Sequence, residues 1–116
     1  MKKTEMKKEL DEITLSPISQ KERAISKTRY KPFARYSFWV LTKYADNEEI
    51  FHVNDLVHYA KINYNSAYMF FKNLCNLGYA KETSTTQSIQ FELTTNDGHI
   101  KLMDLLPYIK KTLKNG

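Results

Sequence analysis

Cysteine is almost missing from this chain of 116 residues: Cys75 stands alone. An intrachain disulfide is therefore excluded, and no cysteine-based zinc site can be assembled within one copy. That usage suits a reducing compartment. Glycine and proline are scarce too, three of each, which excludes collagen-like and low-complexity sequence. With only Gly78, Gly98 and Gly116 present, no Gly-rich phosphate loop can be built. No apolar run approaches the ~20 residues a membrane-spanning helix needs. The opening Met1-Lys2-Lys3-Thr4-Glu5 is charged and is not followed by an apolar stretch, so it does not read as a secretory signal. The expected location is the cytoplasm.

Catalytic groups are equally sparse. The imidazoles are His52, His58 and His99. His52 and His58 lie six apart, not at the i, i+4 spacing of a helical metal pair. Cys75 reads as a small apolar residue flanking the core. A metal sensor using these groups is the alternative; the expectation is no metal, no cofactor and no enzymatic activity.

What the chain has is aromatic area and unevenly placed charge. Eight Tyr and six Phe bring the aromatic fraction to 13% within a hydrophobic content of 41%. Side chains that large give a short chain a sizeable core, and the length fits one domain. The net charge is +5. Residues 1–35 hold ten Lys/Arg against five Asp/Glu, and residues 36–116 hold eight of each, so the whole excess lies in the first third. A basic segment on a neutral domain suits a polyanionic partner, because each neutralised phosphate releases counterions. The plainer alternative is a solvated tail that aids solubility.

Residues 1–31 form this basic extension, with a Lys/Glu-rich start that reads as a frayed helix or as disorder. Ser16-Pro17 is a turn or helix-start signal, Ser19–Lys27 is helix-compatible, and Thr28–Lys31 is a connector. Ordered structure is expected over residues 32–116. Pro32 suits a first helical position, and Phe33, Tyr36, Phe38, Trp39, Val40 and Leu41 give a dense apolar helix that Asp46-Asn47 ends near Ala45. Glu49–Val53 is a short β-prone run. Asn54 is placed as the N-cap of a helix of about two turns, Lys61-Ile62 as a tight connector, and Asn63 as a second N-cap. A longer helix runs to Leu77, with Gly78 in the left-handed conformation after its end. Tyr79–Thr83 and Ile89–Leu93 flank a loose polar tip as a β-hairpin, Ile89, Phe91 and Leu93 alternating with Gln90 and Glu92. Thr94 or Thr95 is the cap expected for a last helix spanning Ile100–Leu113, which Pro107 should kink or split.

A short helix, a tight turn and a longer helix make a helix-turn-helix unit, and a hairpin directly after it takes the place of a wing. On a wheel of about 100° per residue, Ala67, Phe70, Phe71, Leu74 and Leu77 share one side of the longer helix. Asn65, Tyr68, Met69, Lys72 and Asn76 share the other, with Ser66 and Asn73 at the boundary. A face that only needs solubility uses Glu and Lys, which favour helix; Asn, Ser and Tyr are poorer formers, so their concentration here asks for a functional reason. Asn pairs bidentately with adenine, and Met69 can pack on a thymine methyl. Recognition helices offer their N-terminal residues to base edges. Tyr64, Asn65, Ser66, Tyr68 and Met69 are therefore the candidate readers, with Lys72 a phosphate contact and Asn73 beside them. The plainer alternative is that so many Asn reflect only an Asn/Lys/Tyr-rich composition.

The stretches Asn54–Ala60, Ser66–Tyr79 and Phe91–Gly98 resemble the winged helix-turn-helix superfamily, in the broad group of MarR-like, PadR-like and plasmid-partition DNA binders. The resemblance runs from about Pro32 to Gly116 and rests on Leu74-x-x-Leu77-Gly78-Tyr79 and Leu93-Thr94-x-x-x-Gly98. It implies a mainly α chain with a small β-hairpin (α+β). It also implies a homodimer that sets two recognition helices into successive major grooves of double-stranded DNA. The wing tip Ser84–Ser88 departs from many relatives in lacking Arg and Lys, and Lys72 is the sole cation of the recognition helix. Wing contacts would then come from Lys81 and Gln87, and phosphate contacts from Lys21, Arg23, Lys27, Arg29, Lys31 and Arg35. Phe33–Leu41 and Ile100–Leu113 are the expected dimer interface. Tyr30, Phe33, Tyr36, Phe38 and Trp39 can alternatively stack on single-stranded bases. The leading expectation is a nucleoid-associated transcriptional repressor. The alternatives are a plasmid or phage partition adaptor, recruiting a protein partner through the N-terminal extension, and a winged-helix module that docks protein.

Overall fold

The computed structural model describes residues 3–11 and 32–114. The expectations for Ser16–Lys31, including the cations Lys21, Arg23, Lys27, Arg29 and Lys31, lie outside the described residues. Among the described residues there are five α-helices and a small antiparallel sheet, an α+β arrangement.

Helix α1, Lys3–Asp11, is charged on most of its surface, yet Met6 and Leu10 are 1% and 2% exposed. Four residues apart, they form one narrow apolar stripe. It packs on α2, Pro32–Ala45, and joins the main core. An exposed ion pair, Lys7 Nζ to Asp46 Oδ1 at 3.4 Å, adds little to that packing.

Helix α2 starts at Pro32 and ends at Ala45, after which Asn47 takes a positive φ of 73°. It is apolar on several sides and is covered on several sides, as such a helix must be. Phe38, Trp39, Val40 and Leu41 are all buried within the chain. Within the chain, α1 and the C-terminal helix both pack on this helix, which carries the Phe33–Leu41 stretch expected to pair two copies. In the other stretch expected to pair, Ile100–Leu113, the residues Ile100, Leu102, Met103, Leu106 and Ile109 belong to the one core.

Strand β1, Ile50–His52, runs directly into α3, Val53–Ala60, and α4 follows as Tyr64–Asn76. The hairpin β2, Ala80–Glu82, and β3, Gln90–Leu93, completes a sheet of order β1-β3-β2, antiparallel throughout. Phe51 lies opposite Phe91, and Ala80 opposite Leu93. These four are buried, whereas Ile50, Lys81, Gln90 and Glu92 point to the other side, as the period of two requires. Asn54 is not the N-cap of α3. His52 holds that place, in extended conformation and with no side-chain hydrogen bond to the helix. The helix begins at Val53 because that side chain, 2% exposed, is needed in the core directly after the strand.

The end of the chain departs furthest from expectation. Thr95–Asn96 (β4) and His99–Ile100 (β5) pair as a second small hairpin, with Asp97 and Gly98 at φ 52° and 79°. Two consecutive positive φ values are what a tight two-residue hairpin turn demands, and Asp-Gly supplies them. A 3₁₀ turn, Lys101–Leu105, leads into α5, Leu106–Lys114. Pro107 therefore lies in the first turn of α5, where its missing N–H leaves no bond unmade. No helix among the described residues is long and apolar enough to cross a membrane.

Candidate functional site

Helix α4 is fixed at both ends by local chemistry. Lys61 closes α3 in the left-handed conformation, φ 54°, its N–H donating to Val57 O at 2.9 Å. Asn63 then caps α4: its Oδ1 accepts from the Ser66 N–H at 2.7 Å. At the far end Gly78 takes φ 84°, Gly78 N donates to Cys75 O and Tyr79 N to Leu74 O. That pair of bonds is a Schellman motif, and it turns the chain into β2.

The inner face of α4 presents Ala67, Phe70, Phe71 and Leu74, all buried. Phe71 stacks on Phe91 of the sheet at 4.9 Å and 8° between planes. Phe70 meets Tyr36 of α2 edge-on at 5.5 Å and Phe33 at 5.8 Å. The helix is thus clamped between α2 and the sheet. Leu77, expected on this face, is 58% exposed, because it lies past the last helical turn and the wheel no longer sets its direction.

The outer face carries Asn65, Met69, Asn73 and Asn76 in one exposed row, with Tyr64 and Ser66 exposed at the N-terminal end. Of the residues expected to read bases, Tyr64, Asn65, Ser66 and Met69 therefore reach solvent together. Tyr68 is half-buried: it stacks on Tyr64 at 6.4 Å and meets Phe91 edge-on at 6.3 Å. Its ring joins Tyr64 to the core and so supports it.

Lys72 is engaged within the chain. Its Nζ lies 3.2 Å from Glu82 Oε1 on β2, and Ser84 Oγ donates to Glu82 Oε2 at 2.7 Å. The Ser84 and Lys72 hydrogen bonds hold the Glu82 carboxyl below its ordinary range, and the Glu82 contact raises Lys72. Sequence gave no signal for this pair, since the two residues lie ten apart and meet only across the helix-to-hairpin turn.

The hairpin tip, expected to be loose, is hydrogen-bonded. Thr83 N donates to Gln90 O and Thr85 N to Ser88 O, both at 2.9 Å, and Ser88 Oγ lies 3.3 Å from His52 Nδ1 of β1. Gln87 is exposed on this tip, its N–H directed to Thr85 Oγ1 at 3.3 Å. Lys81 is exposed on the outer side of the sheet, across from Glu92. The Arg35 guanidinium sits 5.9 Å from the centroid of the Tyr59 ring of α3. Lys27, Arg29 and Lys31 lie outside the described residues. Cys75 is half-buried, and that burial pushes its thiol up, away from reactivity. Among the described residues no three His, Cys, Asp or Glu side chains converge as a metal site.

No family model matches this chain, and neither a curated protein nor a solved structure matches it.

Proposed function

We propose that this chain is a winged helix-turn-helix protein that binds double-stranded DNA with α4 in the major groove and acts, on the nucleoid, as a transcriptional regulator. The observation that carries this reading is the outer face of α4: an exposed row of amide, hydroxyl and thioether side chains on a helix whose other face is locked into the core. Asn65, Asn73 and Met69 suit A·T pairs, through adenine edges and thymine methyls. The order helix, strand, helix, helix, hairpin, with β1 completing the sheet behind the hairpin, supports the same reading. Lys81 and Gln87 stand on the hairpin where a wing would meet the backbone, and the cations of residues 21–31 supply further charge. A homodimer sets two such helices one turn of DNA apart. With the α2 surface used internally, the outer side of α5 around exposed Tyr108 is the proposed pairing element.

A salt series tests it. Fluorescence anisotropy on an A·T-rich duplex should show affinity falling steeply between 50 and 200 mM salt, by about 0.9 log unit per log unit of salt for each phosphate contacted. Absence of binding at the lowest salt favours the second reading, a winged-helix module that docks protein. The engaged state of Lys72 is the observation on that side.

A further inference from the structure

We propose that Glu82 is a specificity-determining residue: its carboxylate occupies Lys72 in place of a DNA phosphate and so holds down binding to duplex of arbitrary sequence. The inference rests on the DNA-binding reading above. Lys72 is the only cation between Tyr64 and Asn76, and it sits on the flank of α4 nearest the hairpin. Its partner is held in position. Glu82 ends β2 in register with Phe91, its second oxygen accepts from Ser84, and the same Ser84 oxygen accepts from Gln90 N at 3.1 Å. The carboxylate is thereby presented to Lys72 by the ladder itself.

A phosphate that takes Lys72 has to displace Glu82 and then lie beside the carboxylate it displaced. Phosphate contacts add affinity without regard to sequence, whereas base contacts distinguish sequences. Neutralising the one cation of α4 therefore subtracts from the first kind of binding and leaves Asn65 and Met69 their part in the second. Specificity is a difference of two affinities, and a device that weakens only the unwanted one widens it.

The test is a four-protein cycle: the full chain, Glu82→Gln, Lys72→Gln and the double variant. Each is titrated into a mixed-sequence 24-base-pair duplex, with thermal melting as the check on folding. The freed Lys72 should raise the affinity of Glu82→Gln about fivefold to tenfold at 0.1 M salt and steepen its salt slope by about 0.9, the value of one added phosphate contact. In the Lys72→Gln background the same Glu82 change should leave affinity within about twofold. No gain in the single variant, or a gain that survives without Lys72, overturns the proposal; the second result would make Glu82 a simple repelling charge. If the full chain binds A·T-rich duplex and only the cycle fails, the DNA reading stands without this device. If none of the four binds DNA at any salt, both fall.

Discussion

The two faces of α4 contrast more sharply than any other pair of surfaces here. The inner face is all apolar and touches both α2 and the sheet; the outer face carries three asparagines and one methionine, all exposed. The first has the composition that a core dictates, at a helical period that any amphipathic helix would show. The second uses residues that weaken a helix, on a surface where Glu or Lys would be cheaper. A fold has reasons for the inner face and none for the outer, so the outer one carries the functional argument.

The largest test of that contrast is Phe71→Ala. Removing a ring stacked on Phe91 should destabilise the protein by about 3–5 kcal/mol in chemical denaturation, and the proposed DNA binding would be lost only through unfolding. A stable Phe71→Ala protein would mean that the clamp described above does not hold the helix. Asn65→Ala should do the opposite: unchanged melting, with a loss of about 1–3 kcal/mol in preference for the bound sequence if its amide reads a base. If preference in that variant equals that of the native chain, Asn65 leaves the set of proposed readers. Asn63→Ala affects both faces alike, since the cap sets where the helix begins; about 1 kcal/mol of stability is expected to go with it. Retained stability would show that Ser66 N–H finds another acceptor.

The smallest effect concerns acid. Glu82 is held below its ordinary range, so whatever its charge adds to stability is present above the unfolded-state pKa and is lost as the pH falls through the lowered one. The gap in melting temperature between the native chain and Glu82→Gln should narrow on acidification over that window. Because the side chains of Lys72 and Glu82 are partly open to solvent, the gap is small at every pH. A gap that does not change with pH would trace it to something other than the carboxylate charge.

The helix pair and hairpin were legible in the sequence because their signals are local. Asn63 as a cap, Gly78 as a left-handed residue, and the spacing of Ala67, Phe70, Phe71 and Leu74 each follow from a few neighbouring residues. Other features were harder to read, because the deciding contact was distant or the local signal was outweighed. Met6 and Leu10 are two apolar residues in a charged stretch, too few for a convincing stripe until α2 is there to receive them. Sequence also could not say that α1 and α5 both pack on the helix holding the apolar stretch Phe33–Leu41. The second hairpin was hidden under an assumed helix cap, although Asn96-Asp97-Gly98 is itself a strong turn signal. Of the candidate site, the exposed row was readable, while the Lys72–Glu82 pair was not.

Trp39 is the single tryptophan of the chain, 6% exposed, stacked at 5.4 Å on Tyr59 and lying edge-on to Phe51. It sits where α2, α3 and β1 meet, so its emission is an intrinsic gauge of whether that junction is intact. Denaturation should shift its spectrum to the red as water reaches the indole. A ligand settling on the outside of α4 has no direct route to it, and would leave its colour unchanged.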